Sequence, residues 1–127
     1  MITVTVNEIL NVIPILRELN TKTFKGTIAF KLARLSRELD KERILFEEHQ
    51  KKLIDKYGLK DEKGNFVTSD DGSFKLKEEK IEECKTEMFN LLSTQLEINA
   101  DKIPDSILEE VEITPSQALV LYTFIEN

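Results

Sequence analysis

The chain has no tryptophan, one cysteine and one histidine among 127 residues. The lone Cys84 excludes an intramolecular disulfide and fits a reducing compartment. The lone His49 has no second His and no Cys near it in sequence, so a transition-metal site lacks its usual ligands. Together these shortages disfavour enzymatic chemistry. No window approaches the run of about 18 apolar residues that a spanning helix needs. The start, MITVTVNEIL, has no basic n-region and no small-residue cleavage site, which argues against a signal peptide. Proline and glycine are scarce, at three and four residues. None of them falls between Thr27 and Tyr57.

That gap is the most informative feature present. A helix over these 31 residues would be roughly 46 Å long, more than the width of a compact domain of this size. Hydrophobic content of 40% and charged content of 33% fit a helix-rich chain with a modest core. The length predicts one domain, 1–127. Net charge is −6, unevenly spread. Residues 1–60 carry 12 basic and 8 acidic side chains, 61–96 carry 5 and 9, and 97–127 carry 1 and 7. An acidic chain disfavours general nucleic-acid binding, which depends on neutralising phosphates.

Ile2, Val4 and Val6 alternate with threonines, which predicts a strand over 2–6. Asn7 is a plausible N-cap for a helix over 8–18, with Pro14 set to kink or restart it. The long helix carries a seam at heptad spacing: Ile28, Leu32, Leu35, Leu39, Glu42, Phe46, His49, Leu53. It is continuous to Leu39 and broken beyond, so the first half predicts core and the second half a partner surface. Gly58 suits a C′ position. Phe66-Val67 and Phe74–Leu76 predict a β-hairpin turned by Ser69-Asp70-Asp71-Gly72. A second helix is expected over 77–96, with Ile81, Cys84, Met88, Leu91 and Gln95 in one row. Val111 and Ile113 predict a strand over 110–113 pairing with 2–6. Thr114 and Pro115 open a last helix as N-cap and N1, with Ala118, Leu119, Leu121, Tyr122 and Ile125 as its apolar face. No internal repeat is visible. The expected fold is therefore α+β. A strand–helix base (1–25) precedes a long antiparallel helical hairpin with a β-hairpin at its tip (26–98), and a strand–helix segment (99–127) closes it.

Sharper chemistry fails on inspection. Asp61, Lys63 and Asn65 alternate like calcium ligands, but Lys63 is cationic, the sixth position is Phe66 and the twelfth is Gly72. The paired carboxylates (Glu47-Glu48, Glu78-Glu79, Glu82-Glu83, Glu109-Glu110) lie among other charges, which predicts a solvated surface rather than acid–base work. Cys84 in an apolar row predicts a buried small hydrophobe. No catalytic residue, cofactor or metal is expected. Lys31, Arg34, Arg37 and Lys41 form a basic stripe. It could pair with the chain's own acidic C-terminal third, meet an acidic protein or, least favoured, bind nucleic acid. Acids at Glu38, Asp40 and Glu42 dilute it, and no aromatics interleave. The candidate partner surface is Phe46, His49, Leu53, Tyr57, Phe66, Phe74 and Met88.

The run KYGLKDEKGN, the DDGSFKL after it, and the closing EITPSQALVL–FIE resemble a family of small, uncharacterised proteins of tailed bacteriophages and prophages of low-GC Gram-positive bacteria. The resemblance covers most of the chain; INADKIPDSILEE departs from it. It implies a phage origin and a non-enzymatic role, and brings no catalytic residues. The expected function is a protein–protein interaction module, an adaptor or inhibitor of a host protein, working in the host cytoplasm without a membrane. Its partner would be a host or phage protein, or a second copy. The alternatives are a minor virion or assembly component of the head or tail and, more weakly, a nucleic-acid accessory protein.

Overall fold

A computed structural model describes residues 1–126 and shows helices combined with a two-stranded antiparallel sheet, an α+β chain. Contacts divide it into two compact units. One comprises residues 1–44 with the chain from residue 93 onward; the other is Leu45–Leu92.

In the first unit, β1 (Ile2–Thr5) leads directly into α1 (Val6–Leu19). The cap is Thr5, not Asn7. Thr5 Oγ1 accepts the Glu8 amide at 3.2 Å, and Glu8 Oε1 accepts the Thr5 amide at 3.1 Å. This reciprocal box outweighs an isolated asparagine because it satisfies two orphan donors at once. Pro14 does not restart the helix, which runs through it on the exposed face. There, a carbonyl that lacks an N–H partner can meet water. Ile9, Val12, Ile13 and Leu16 face inward.

The partner of β1 corrects the expected topology. It is β2 (Gln95–Ile98), antiparallel, with Ile2 opposite Ile98 and Val4 opposite Leu96. Residues 95 and 96 therefore leave the helix to which the pattern assigns them. Gln-Leu-Glu-Ile alternates with period two, so Leu96 and Ile98 share the face of Val4 and Ile2. Val111 and Ile113 form no strand; they pack half-buried against the core. The short parallel pairing near the C-terminus is instead Ile103 with Ile125. A 3-10 turn over Asp105–Glu109 buries Ile107.

α2 spans Gly26–Tyr57, the long helix expected, beginning one residue before Thr27. Ile28, Leu32, Leu35 and Leu39 are buried in the core of the first unit. α3 covers Ile81–Ser93, shorter than 77–96, after a 3-10 turn at Glu78–Lys80. α4 is Pro115–Leu121, with Thr114 as N-cap, Pro at its start and a capping box to Gln117. Its buried face differs from the expected one. Leu121, Phe124 and Ile125 are inside, whereas Ala118, Leu119 and Tyr122 are exposed.

The second unit has its own small cluster: Leu53 and Tyr57 of α2 with Cys84 of α3, flanked by Leu76, Met88 and Leu91. Between the helices, three short segments pair in a closed ring. The Leu59 amide donates to the Lys75 carbonyl (2.7 Å), Val67 to Leu59 (2.9 Å) and Lys75 to Val67 (2.9 Å). These residues are eight apart, and the turns between them match. Asp61 and Gly64 bond as Ser69 and Gly72 do, both glycines have φ above +80°, and Phe66 and Phe74 follow. An eight-residue repeat is thus present where none is visible in the sequence pattern. Sequence divergence hides it, since only Gly and Phe coincide. Gly58 is buried without a positive φ. It is there for close approach rather than as a left-handed cap.

Candidate functional site

The second unit holds an apolar groove of about 610 Å³. Its lining includes Gln50, Leu53 and Ile54 from α2, Phe74 and Leu76 from the third ring segment, and Cys84, Lys85, Met88, Phe89 and Leu92 from α3. Helical spacing brings Leu53 and Ile54, three and four residues after Gln50, to its side of the groove, and Cys84, Met88 and Leu92 to the other. Leu53 and Cys84 are buried, and two phenylalanines stand out of the groove. Phe89 is 68% exposed and Phe74 43%. Phe66 packs edge-on to Phe74, with ring centroids 5.5 Å apart and planes at 77°, and Lys60 Nζ lies 5.0 Å from the Phe66 ring centre. That T-shaped contact fixes the orientation of the exposed ring.

On the same unit, the Tyr57 hydroxyl donates to Glu87 Oε1 at 2.6 Å, and Lys56 Nζ donates to the same oxygen at 3.0 Å. The Tyr57 bond, then Lys56, holds the Glu87 carboxyl below its usual range, and the charge of His49 adds to this. The bond to Glu87 and then desolvation push the Tyr57 phenol up. Lys56 is raised by its bonds to Tyr57 and Glu87. Burial, with Glu87 second, raises the Cys84 thiol. Cys84 is therefore a protonated wall of the groove rather than a nucleophile.

The expected partner surface divides on this geometry. Leu53 and Tyr57 are buried, 7% and 2% exposed, because they form the unit's own cluster. Leu53 is groove floor and Tyr57 anchors Glu87. Phe74 and Met88 line the groove, Phe66 supports Phe74, Phe46 is half-buried, and His49 is exposed outside the lining. Phe89 was not anticipated, since it lies off the Cys84–Met88 row. Its signal was an aromatic four residues after Lys85 on a helix with only one other apolar face.

The basic stripe is largely paired. Lys31 Nζ lies 4.0 Å from Glu126 Oε1, the self-complementary pairing with the acidic C-terminal segment. Lys41 Nζ is 3.0 Å and Arg37 Nε 4.0 Å from Glu38 Oε1. Arg34 is exposed beside a shallow hollow with Phe30 and Ala33. Exposed pairs of this kind contribute about 0–1 kcal/mol. Among the described residues no three His, Cys, Asp or Glu side chains converge as metal ligands. No helix among them is long and apolar enough to cross a membrane. The chain matches no protein-family model, no curated protein and no solved structure.

Proposed function

We propose that this chain is a phage-encoded, non-enzymatic protein-interaction module, an adaptor or inhibitor of a host protein in the host cytoplasm. The groove of the second unit is its docking site. Within that unit, the end of α2 and α3 act as arms of a helical hairpin, and the three paired segments form its tip. The phage origin rests on the resemblance of KYGLKDEKGN, DDGSFKL and EITPSQALVL–FIE alone.

One observation carries the docking role: Phe89 and Phe74, the latter oriented by Phe66, rim an apolar groove while remaining 68% and 43% exposed. Covering the exposed part of Phe89 removes roughly 140 Å² from water and contributes about 3 kcal/mol. Aromatic anchors at the centre of a patch are what interface hot spots are made of.

The test is affinity capture from lysate of a low-GC Gram-positive host with wild-type protein, Phe89→Asp and Leu119→Asp. Leu119 is an exposed leucine of the first unit and serves as control. The proposal expects one host protein retained by wild type and Leu119→Asp and lost with Phe89→Asp. Identical capture profiles for all three would overturn it. So would a concentration-dependent dimer abolished by Phe89→Asp, since a second copy would then occupy the groove.

A further inference from the structure

The first unit contains a second concavity that the interaction reading does not use. It is a cleft of about 350 Å³ between the end of α1 and the middle of α2. Three guanidinium groups, from Arg17, Arg37 and Arg43, line it against one carboxylate, Asp40. Its floor is apolar, formed by Ile13 and Leu16, both buried. A low-dielectric floor strengthens any charge interaction made above it.

The polar groups are arranged rather than scattered. Arg43 Nε donates to Asp40 Oδ1 at 2.8 Å, which ties the one acid of the cleft to one arginine. That bond outweighs desolvation, which acts the other way, and with the charges of Arg43 and Arg17 it holds the Asp40 carboxyl below its usual range. Asn20 Nδ2 donates to Ser36 Oγ at 3.1 Å, so the serine hydroxyl keeps its own proton to donate. Arg17 makes no ion pair among the described residues. Its neighbour Glu18 instead accepts from Gln117 Nε2 at 3.4 Å. Arg37 has only the loose 4.0 Å approach to Glu38. Arg17 acts on Asp40 through its charge alone, so neither Arg17 nor Arg37 is held by a close ion pair, and the cleft holds a net charge of about +2 from three Arg and one Asp.

We infer that this cleft is an oxyanion-binding site, in which Arg17 and Arg37 grip the charged oxygens of a phosphate or carboxylate group and Ser36 donates a third bond. Arginine suits this role because its planar fork matches paired oxygens. Asp40 orients Arg43 through their 2.8 Å bond.

The test is a titration of the full chain with sodium phosphate and, separately, sodium malonate at constant ionic strength. It is followed by NMR at the Arg Nε–H and Asn20 side-chain resonances. The expected result is saturable shifts at Arg17, Arg37 and Asn20 for at least one anion. The anion that saturates identifies the oxyanion as phosphate or carboxylate. Arg17→Gln should raise the dissociation constant about tenfold, the loss of one charge-assisted bond. Arg34→Gln, outside the cleft, should leave it unchanged. Linear, non-saturating shifts with both anions, or equal weakening by the two variants, would overturn the site. Because the groove of the second unit is untouched by these variants, failure here is distinct from failure of the docking proposal.

Discussion

Gly58→Ala tests whether the second unit is held by close approach at the end of α2. A methyl group at residue 58 would lie 2.5 Å from the Ile54 carbonyl oxygen and 2.9 Å from two ring atoms of Phe66. The oxygen is main chain and already accepts the residue 58 amide at 2.7 Å, so it cannot rotate aside. The ring is set against Phe74, so moving it disturbs the groove rim. Overpacking of this kind costs about 1–3 kcal/mol. The cost falls where residue 58 bridges to Leu76 and the ring of segments begins. At 1.4 kcal/mol per factor of ten, hydrogen-exchange protection of the Leu59, Val67 and Lys75 amides should fall roughly 5- to 140-fold. Gly26→Ala is the control, since nothing lies within 4 Å of a methyl group there. It should be neutral or stabilising by up to about 1 kcal/mol. Protection of the three amides within about twofold of wild type would refute the account of Gly58 as a residue required for close approach.

Thr5→Ala removes the side-chain half of the α1 capping box, the bond that Thr5 Oγ1 accepts from the Glu8 amide, and should cost about 1 kcal/mol in urea unfolding; an unchanged midpoint would count against the box as the start of α1. Leu35→Ala empties a fully buried position of the first core and should cost about 2–5 kcal/mol, read by thermal or urea melts. The Tyr57–Glu87 bond should shape stability at both ends of the pH scale. Glu87 titrates below its usual range, so its contribution is complete above the ordinary glutamate value of about 4.3. It is lost as pH falls through the lowered folded value. Tyr57 titrates above its usual range, so its contribution is complete below about pH 10 and lost as pH rises through the raised folded value. Tyr57→Phe should shrink the acid edge, where Lys56 still holds Glu87, and shrink the alkaline one, where Lys56 is still raised by Glu87. Superimposable urea midpoints against pH for the two proteins would refute this.

Local signals in the chain were legible. The α2 seam Ile28–Leu39 is core because a 3.6-residue helix keeps positions three and four apart on one face. Thr114-Pro115 with Gln117 opens α4 as its residue types require. The break in the seam between Leu39 and Leu53 coincides with the boundary between the two units at residues 44 and 45. The sequence marks that break without saying that a second cluster begins beyond it. Of the candidate site, Phe74 and Met88 were readable as apolar residues near a turn or helix row. Phe89 was not, because exposure depends on which neighbours arrive.

Pairing across the chain is where sequence reasoning fell short. EVEI at 110–113 and QLEI at 95–98 both alternate, and alternation alone does not choose between them. The choice falls on 95–98, where Leu96 and Ile98 meet Val4 and Ile2 face to face. The three-segment ring at Leu59, Val67 and Lys75 likewise depends on main-chain bonds between residues eight and sixteen apart, to which side-chain identity gives little clue. The sequence by itself determined helix positions, caps and the apolar seam, because those depend on interactions within about four residues. Tertiary structure decided which strand pairs with β1, which phenylalanines stay exposed, and that Arg17, Arg37 and Arg43 line one cleft. Each of those is set by which distant surfaces bury one another, and burial is a property of the assembled chain.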